Sequence, residues 1–208
     1  GAEGPEVMQG KIFLGKDRES ERPYHISYRE RMDERFDNQR AIRNKRYLYI
    51  RNYMPFVPLG QRLEYLWKME ASRAWEDWHD AGKTNEVTGR WFLPKPSEEL
   101  YDTWEDPDNV INLIDDSKYA EIANELRQEL SLWQKEKRDL GLLPESERAK
   151  RAEDLGITLC ELAKDPKAYD LDAYLEASDL ALQRDAKNFA LLKQFLQNKD
   201  SGIRYWGV

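Results

Sequence analysis

The chain has 208 residues, 33 of them Lys or Arg and 40 Asp or Glu, for a formal charge of −7; 40% are hydrophobic and 12% aromatic. That apolar content fills a core in one or two domains and excludes disorder along the whole length, since a chain of roughly 200 residues buries about 70% of its unfolded surface. No run of about 18 apolar residues and no basic-then-apolar leader stands in the sequence, so a helical membrane span is excluded and no signal peptide is visible. The single cysteine, Cys160, excludes an internal disulfide framework and a Cys-rich zinc site, and the acidic balance argues against general nucleic-acid binding.

Residues 1–22 carry one short apolar patch and no periodicity, and read as a loop. Residues 24–28 are aromatic and β-branched and predict a strand; residues 40–43 and 46–52 predict a hairpin turning at Asn44 and Lys45. In its second arm Leu48 and Ile50 share one face, and Tyr47, Tyr49 and Arg51 the other, so one face is expected in the core and one partly wet. Pro55, Pro58 and Gly60 break the pattern. Leu63, Trp67, Ala71, Ala74 and Trp78 then recur at helical intervals and predict one helix with these residues facing the core, ending near Gly82.

Residues 91–96 read as a loop by their prolines, residues 98–104 as a further strand, and Asp106, Pro107, Asp108 and Asn109 as a turn. Asp116 or Ser117 is placed to cap a helix that carries Tyr119, Ile122, Leu126, Leu130 and Trp133 on one side. Beyond Pro144 all apolar residues fall at helical spacing. Leu171, Tyr174, Leu175, Ser178 and Leu182 form one stripe, and Leu191, Leu192, Phe195 and Leu196 a second. The expectation is an α+β fold, with a small antiparallel sheet packed against one or two amphipathic helices over residues 1–148. An all-α segment of HEAT-like character, truncated, follows over residues 149–208. The chain starts without Met and stops within an apolar pattern, so both ends are expected to be cut.

Chemistry-bearing residues are sparse. His25 and His79 lie far apart with no second ligand pattern, and Cys160 sits in an apolar helical stretch that predicts a buried, inert thiol. The acidic pairs Asp106/Asp108 and Asp115/Asp116 could bind a hard cation, but turn and cap roles account for them more simply. The densest charged and aromatic stretch is residues 28–37, Tyr-Arg-Glu-Arg-Met-Asp-Glu-Arg-Phe-Asp. Arginine forks grip sulfate, phosphate or carboxylate bidentately and acids accept sugar hydroxyls, so this loop suits an anionic saccharide; a solvated loop of local ion pairs is the plainer reading. Residues 29–46 hold seven positive and four negative side chains, a third and weaker reading as a nucleic-acid contact. Of the seven tryptophans, Trp67, Trp78 and Trp133 fall on predicted core faces, and Trp91 and Trp104 are open to a surface role.

The order of these motifs resembles the C-terminal subdomain of sulfatases, of the sulfatase/alkaline phosphatase superfamily. They run Arg-Met-Asp-Glu-Arg-Phe-Asp, then Arg-Ala-Ile-Arg-Asn-Lys-Arg-Tyr-Leu-Tyr-Ile-Arg-Asn-Tyr, then Glu-Glu-Leu-Tyr-Asp with Asp106, Pro107 and the stretch Asn-Val-Ile-Asn-Leu, then a helix ending at Trp133. The branch looks like heparan N-sulfatase (sulfamidase) and related bacterial enzymes, over residues 5–148; the remainder is similar to a HEAT-like extension. The resemblance implies hydrolysis of sulfate esters or sulfamates by a formylglycine nucleophile beside a divalent cation, usually calcium, all within a catalytic domain not found in this sequence. The family's Cys/Ser-x-Pro-Ser/Ala-Arg motif is not matched, since Cys160 is followed by Glu-Leu-Ala-Lys.

For this chain the resemblance implies no catalytic residue, no metal ligand and no cofactor of its own. Its expected partners are the missing N-terminal catalytic domain and a sulfated carbohydrate, with no nucleic acid and no membrane, and self-association of the isolated chain through an uncovered sheet face. A periplasmic or secreted setting is implied for the parent enzyme, and none for this chain by itself. Arg31, Asp33, Glu34 and Arg35, with Arg29, are the implied contacts to the sugar, and Met32 is expected to pack. Tyr101, Asp102, Asp106, Pro107, Asn112 and Leu113 are expected to serve as strand, turn and cap. The alternative is a stand-alone module that binds an anionic glycan or a protein without catalysis.

Overall fold

The structure, a computed structural model, describes residues 10–208, so the first nine residues of the expected loop lie outside the described residues. Strands β1 (His25–Arg29), β2 (Gln39–Arg43), β3 (Tyr47–Asn52) and β4 (Glu98–Asp102) form one antiparallel sheet in the order β1-β2-β3-β4. The hairpin turn is where the sequence places it. Asn44 Oδ1 accepts the backbone N–H groups of Arg46 and Tyr47 at 2.9 and 2.7 Å, the local bond that makes Asn a turn former.

Register puts Ile26, Ile42, Tyr49 and Leu100 in one row across the sheet, and this row faces the core. The buried side of β3 is therefore the one that carries Tyr49 and Arg51, while Leu48 and Ile50 stay half-buried on the outer face. Hydropathy points the other way. Tyr49 can be buried because its hydroxyl donates to Glu98, so the ring adds apolar area without an orphaned polar tip.

Between β3 and β4 the chain makes a long excursion containing α1 (Glu64–Trp67), α2 (Glu70–Asp80) and α3 (Glu86–Gly89). The single helix expected over residues 63–82 is broken: Met69 is extended (ψ 134°), so the helical phase restarts. Leu63 is buried and Trp67 half-buried, but Ala71 and Ala74 are exposed and Trp78 is 41% exposed. The packed face of α2 is instead Ser72, Trp75, Glu76 and His79. Trp75 stacks on Trp91 at 5.6 Å, and His79 stacks on Phe92 at 4.5 Å while its Nδ1 lies 2.9 Å from Thr84 Oγ1. Trp91 and Phe92, the first two residues of the expected 91–96 loop, belong to a 3-10 turn, Arg90–Phe92.

Asp116 caps a 3-10 turn that leads into α4 (Ala120–Lys137), whose Ala123, Leu126 and Leu130 close the core over Ile42, Tyr49 and Leu100. Ile122, Tyr119 and Trp133 pack at the rim of that core. The chain then continues through α5 (Glu145–Leu155), α6 (Leu159–Lys164), α7 (Leu171–Leu182), α8 (Phe189–Phe195) and α9 (Ser201–Trp206). The architecture is α+β followed by a helical segment. A second core gathers Leu142, Leu143, Leu162, Tyr169, Leu171, Tyr174, Ile203 and Trp206, together with Tyr53 from the end of the sheet, whose hydroxyl donates to Gln134 of α4 at 3.1 Å. Helix α5 runs through residue 148.

The α7 stripe is the one the spacing predicts: Leu171, Tyr174, Leu175, Ser178 and Leu182 are all buried. In α8 no residue is buried, and Leu191 and Leu196 are exposed. Cys160 corrects the sequence reading, for it is exposed. Helix α6 has six residues, and only Leu162 turns inward; Leu159 and Cys160 face away from the core. No helix among the described residues is long and apolar enough to cross a membrane.

Candidate functional site

The charged stretch singled out by the sequence is the β1–β2 loop, residues 30–38. Met32 and Arg35 exchange backbone hydrogen bonds of 2.9 and 3.0 Å across Asp33 and Glu34. Asp33 takes the left-handed conformation (φ 53°), which a short polar side chain tolerates better than most. Glu34 Oε2 accepts the Glu64 N–H at 2.9 Å, satisfying a free donor at the start of α1. Phe36 N donates to Gln61 Oε1 at 2.9 Å.

Below the turn the loop is pinned by charge. Arg35 is only 8% exposed; it donates from Nη2 to Leu59 O at 3.4 Å and lies 5.9 Å from the Trp91 ring centre. Asp37, fully covered, accepts both bonds of the equally buried Lys95 ammonium, at 2.9 and 2.8 Å. On the other side Arg40, 2% exposed, donates through Nε and Nη2 to Asp139 at 2.8 Å each and through Nη2 to Glu30 at 2.8 Å. Its Nη1 reaches Asn38 Oδ1 at 3.1 Å and Gln39 O at 2.9 Å.

Glu30 also takes a bond from Arg148, and Arg31 forks onto Glu145 at 2.8 and 2.9 Å. Burial alone would raise the Asp139 carboxyl. The Arg40 bonds and charge, helped by Gln134 and the Gly141 N–H, outweigh it and hold the group below the usual carboxylate range. At exposed Glu145 the Arg31 hydrogen bonds likewise lower the carboxyl.

The structure therefore sorts the five sequence-selected residues. Arg29 ends β1 on the outer face of the sheet, beside Gln39, and Asp33 stands exposed at the turn. Arg31 is exposed although paired; Glu34 is exposed while its carboxylate caps α1, and Arg35 is covered. Met32, expected to pack, is 48% exposed because it flanks the tip of the turn. Tyr101, Asp102, Asp106, Asn112 and Leu113 do serve strand and turn. Asp102 takes a fork from Arg46, Asp106 accepts Ile111 N at 2.7 Å, and Asn112 Oδ1 accepts Leu100 N at 2.9 Å.

Sequence reasoning missed Arg40, Asp37, Lys95 and Asp139. One signal was present: Arg40 lies two positions before Ile42, so strand alternation puts its guanidinium on the core side, where it must find an acid.

On the outer face Ala41, Leu48 and Ile50 are half-buried, and a cleft of about 1000 Å³ opens between that face and residues 10–23. Trp104 is 63% exposed at the opposite end of the sheet from the loop, with the Arg46 guanidinium 5.4 Å from its ring centre. Among the described residues no group of three or more His, Cys, Asp or Glu could hold a metal ion. Cys160 is followed by Glu-Leu-Ala-Lys and does not stand in a Cys-x-Pro motif.

No family model matches the chain. Among curated proteins it is similar to an ulvan-active sulfatase of Formosa agariphila, 38% identical over 152 residues, covering 71% of this chain and 25% of that protein. A second ulvan-active sulfatase of the same organism is 30% identical over 154 residues, 67% of this chain and 27% of the relative. The chain thus spans about a quarter of the length of these curated relatives. Through most of its own length this chain is related to sulfatases.

Proposed function

We propose that the chain is the C-terminal part of a sulfatase, a hydrolase of sulfate esters or sulfamates, in which it packs on the catalytic domain and shapes the pocket for a sulfated carbohydrate. The observation that carries this reading is the match to one quarter of two ulvan-active sulfatases. In this reading formylglycine and calcium belong to the catalytic domain, and the outer sheet face with Ala41, Leu48 and Ile50 is the surface that domain covers. Uncovered, the same face drives self-association of the isolated chain.

Arg29, Arg31 and Asp33 are the groups that meet the sugar, the arginines gripping its anionic substituents and Asp33 accepting a hydroxyl. Glu34 and Arg35 serve the same contact by holding the turn. The helices beyond residue 148 are read as the start of a HEAT-like extension. Ulvan is the first substrate to test.

In the enzyme that carries this chain, Arg29→Ala and Asp33→Ala are expected to lower kcat/KM for ulvan oligosaccharides by about tenfold or more, with the melting temperature unchanged. Unchanged kinetics in both variants would remove the loop from the pocket. The isolated chain is expected to leave an aryl sulfate intact in the presence of calcium; turnover above a buffer control would overturn the reading.

A further inference from the structure

The loop of residues 30–38 has one backbone bridge of its own, Met32 to Arg35. On its β1 side and at its exit into β2, what holds it comes from a stretch about a hundred residues further along the chain. Glu30 bonds Arg148; Arg40, itself bonded to Glu30, bonds Asp139; Arg31 forks onto Glu145; and Asn38 Nδ2 donates to Gly141 O at 2.8 Å. All four partners lie within residues 139–148, at the entry to the helical segment. We infer that this stretch is a positioning device for the loop, with Glu145 and Arg148 setting where Arg29, Arg31 and Asp33 stand. The inference rests on the reading of the loop as substrate-facing.

Three observations support it. All but the Asn38–Gly141 bond are charge-assisted, and two of them, Arg40–Asp139 and Arg31–Glu145, are forked, so they fix orientation as well as distance. Glu30 is shared by Arg40 and Arg148, which couples the loop's entry to its exit through one carboxylate. Finally, Gly141 leaves the space the clamp occupies: a Cβ there would sit 1.6 Å from Arg40 Nη2 and 2.6 Å from Glu30 Oε1. These residues touch no reacting atom in this reading, and they act through the loop.

The test uses Arg148→Met, Arg148→Lys and Glu145→Gln, changes at the far side of the network from the buried Arg40–Asp139 pair, which they leave intact. In this chain, amide hydrogen exchange of residues 30–37 is expected to quicken by about tenfold in Arg148→Met and Glu145→Gln, with the global unfolding midpoint kept and partial recovery in Arg148→Lys. In the enzyme that carries the chain, the same variants are expected to raise KM for sulfated oligosaccharides by about threefold to tenfold at constant kcat, and to leave a small aryl sulfate unaffected. Unchanged exchange in both variants overturns the clamp itself. Quickened exchange with unchanged KM overturns the placing of the loop at the substrate, which separates the two failures.

Discussion

The two flanks of the β1–β2 loop are held by different forces. On one flank the entry to the helical segment grips it through Arg40, Asp139, Glu30 and Arg148, nearly all of it charge-assisted hydrogen bonding. On the other, the excursion between β3 and β4 meets the loop through one buried ion pair, Asp37 with Lys95, and is itself packed by rings: Trp75 on Trp91, Phe92 edge-on to Trp75 at 5.4 Å, and Arg35 near Trp91. Charged pairs tolerate little displacement, because bond strength falls steeply with angle, whereas stacked rings slide at small cost. The difference teaches that the loop's two ends are referenced to the helical segment, while the excursion is fixed to the loop at Asp37–Lys95 and adjusts where ring meets ring.

The largest effect that would break this contrast lies at the buried charges. Asp139→Asn removes the charged partner of Arg40 in a buried site and is expected to cost about 3–5 kcal/mol in urea denaturation at pH 7. The pH dependence follows from the depressed carboxyl. Its contribution is full above the unfolded value near 4 and is lost as pH falls through the lower folded value, so wild-type stability drops in acid and the variant's curve is flatter there. A variant within about 1 kcal/mol of wild type at pH 7 would show that the flank does not depend on this pair.

On the ring-held flank the expected effect is smaller. A Cβ at Gly60 would lie 2.4 Å from Trp91 Cδ1 and 2.9 Å from the Trp91 backbone oxygen. Gly60→Ala is therefore expected to cost about 1–3 kcal/mol, with changed tryptophan fluorescence and intact exchange protection in residues 98–102. Loss of protection in β4 would mean that the excursion carries the sheet. Smallest of all is Arg31→Ala, whose pair with Glu145 is open to water and screened by salt; the unfolding midpoint should not move measurably at physiological ionic strength. A clear drop would make this surface fork part of the frame.

How much of this could be read in advance differs by element. The hairpin at Asn44, strand β4, helix α4 and the α7 stripe follow from periods of 2 and 3.6 joined to turn and cap residues. The stripe through Leu63, Trp67 and Trp78 failed because extended Met69 resets the helical phase, and a spacing count assumes none. Cys160 failed because a helix of six residues buries only the positions its neighbours cover. Of the candidate site, the loop was legible as a charged aromatic run. The division of labour within it, with Arg35 covered and Asp33 exposed, was not.

What the sequence determined by itself is the list of strands and principal helices, the turn residues between them and the kinship with sulfatases, because these rest on local spacing and on side-chain identity. Tertiary structure alone decided which face of β3 is buried and which charges are used up inside the fold. Arg40 and Asp139 stand 99 residues apart in the chain, and a charge can stay in the core only when folding brings its partner to it.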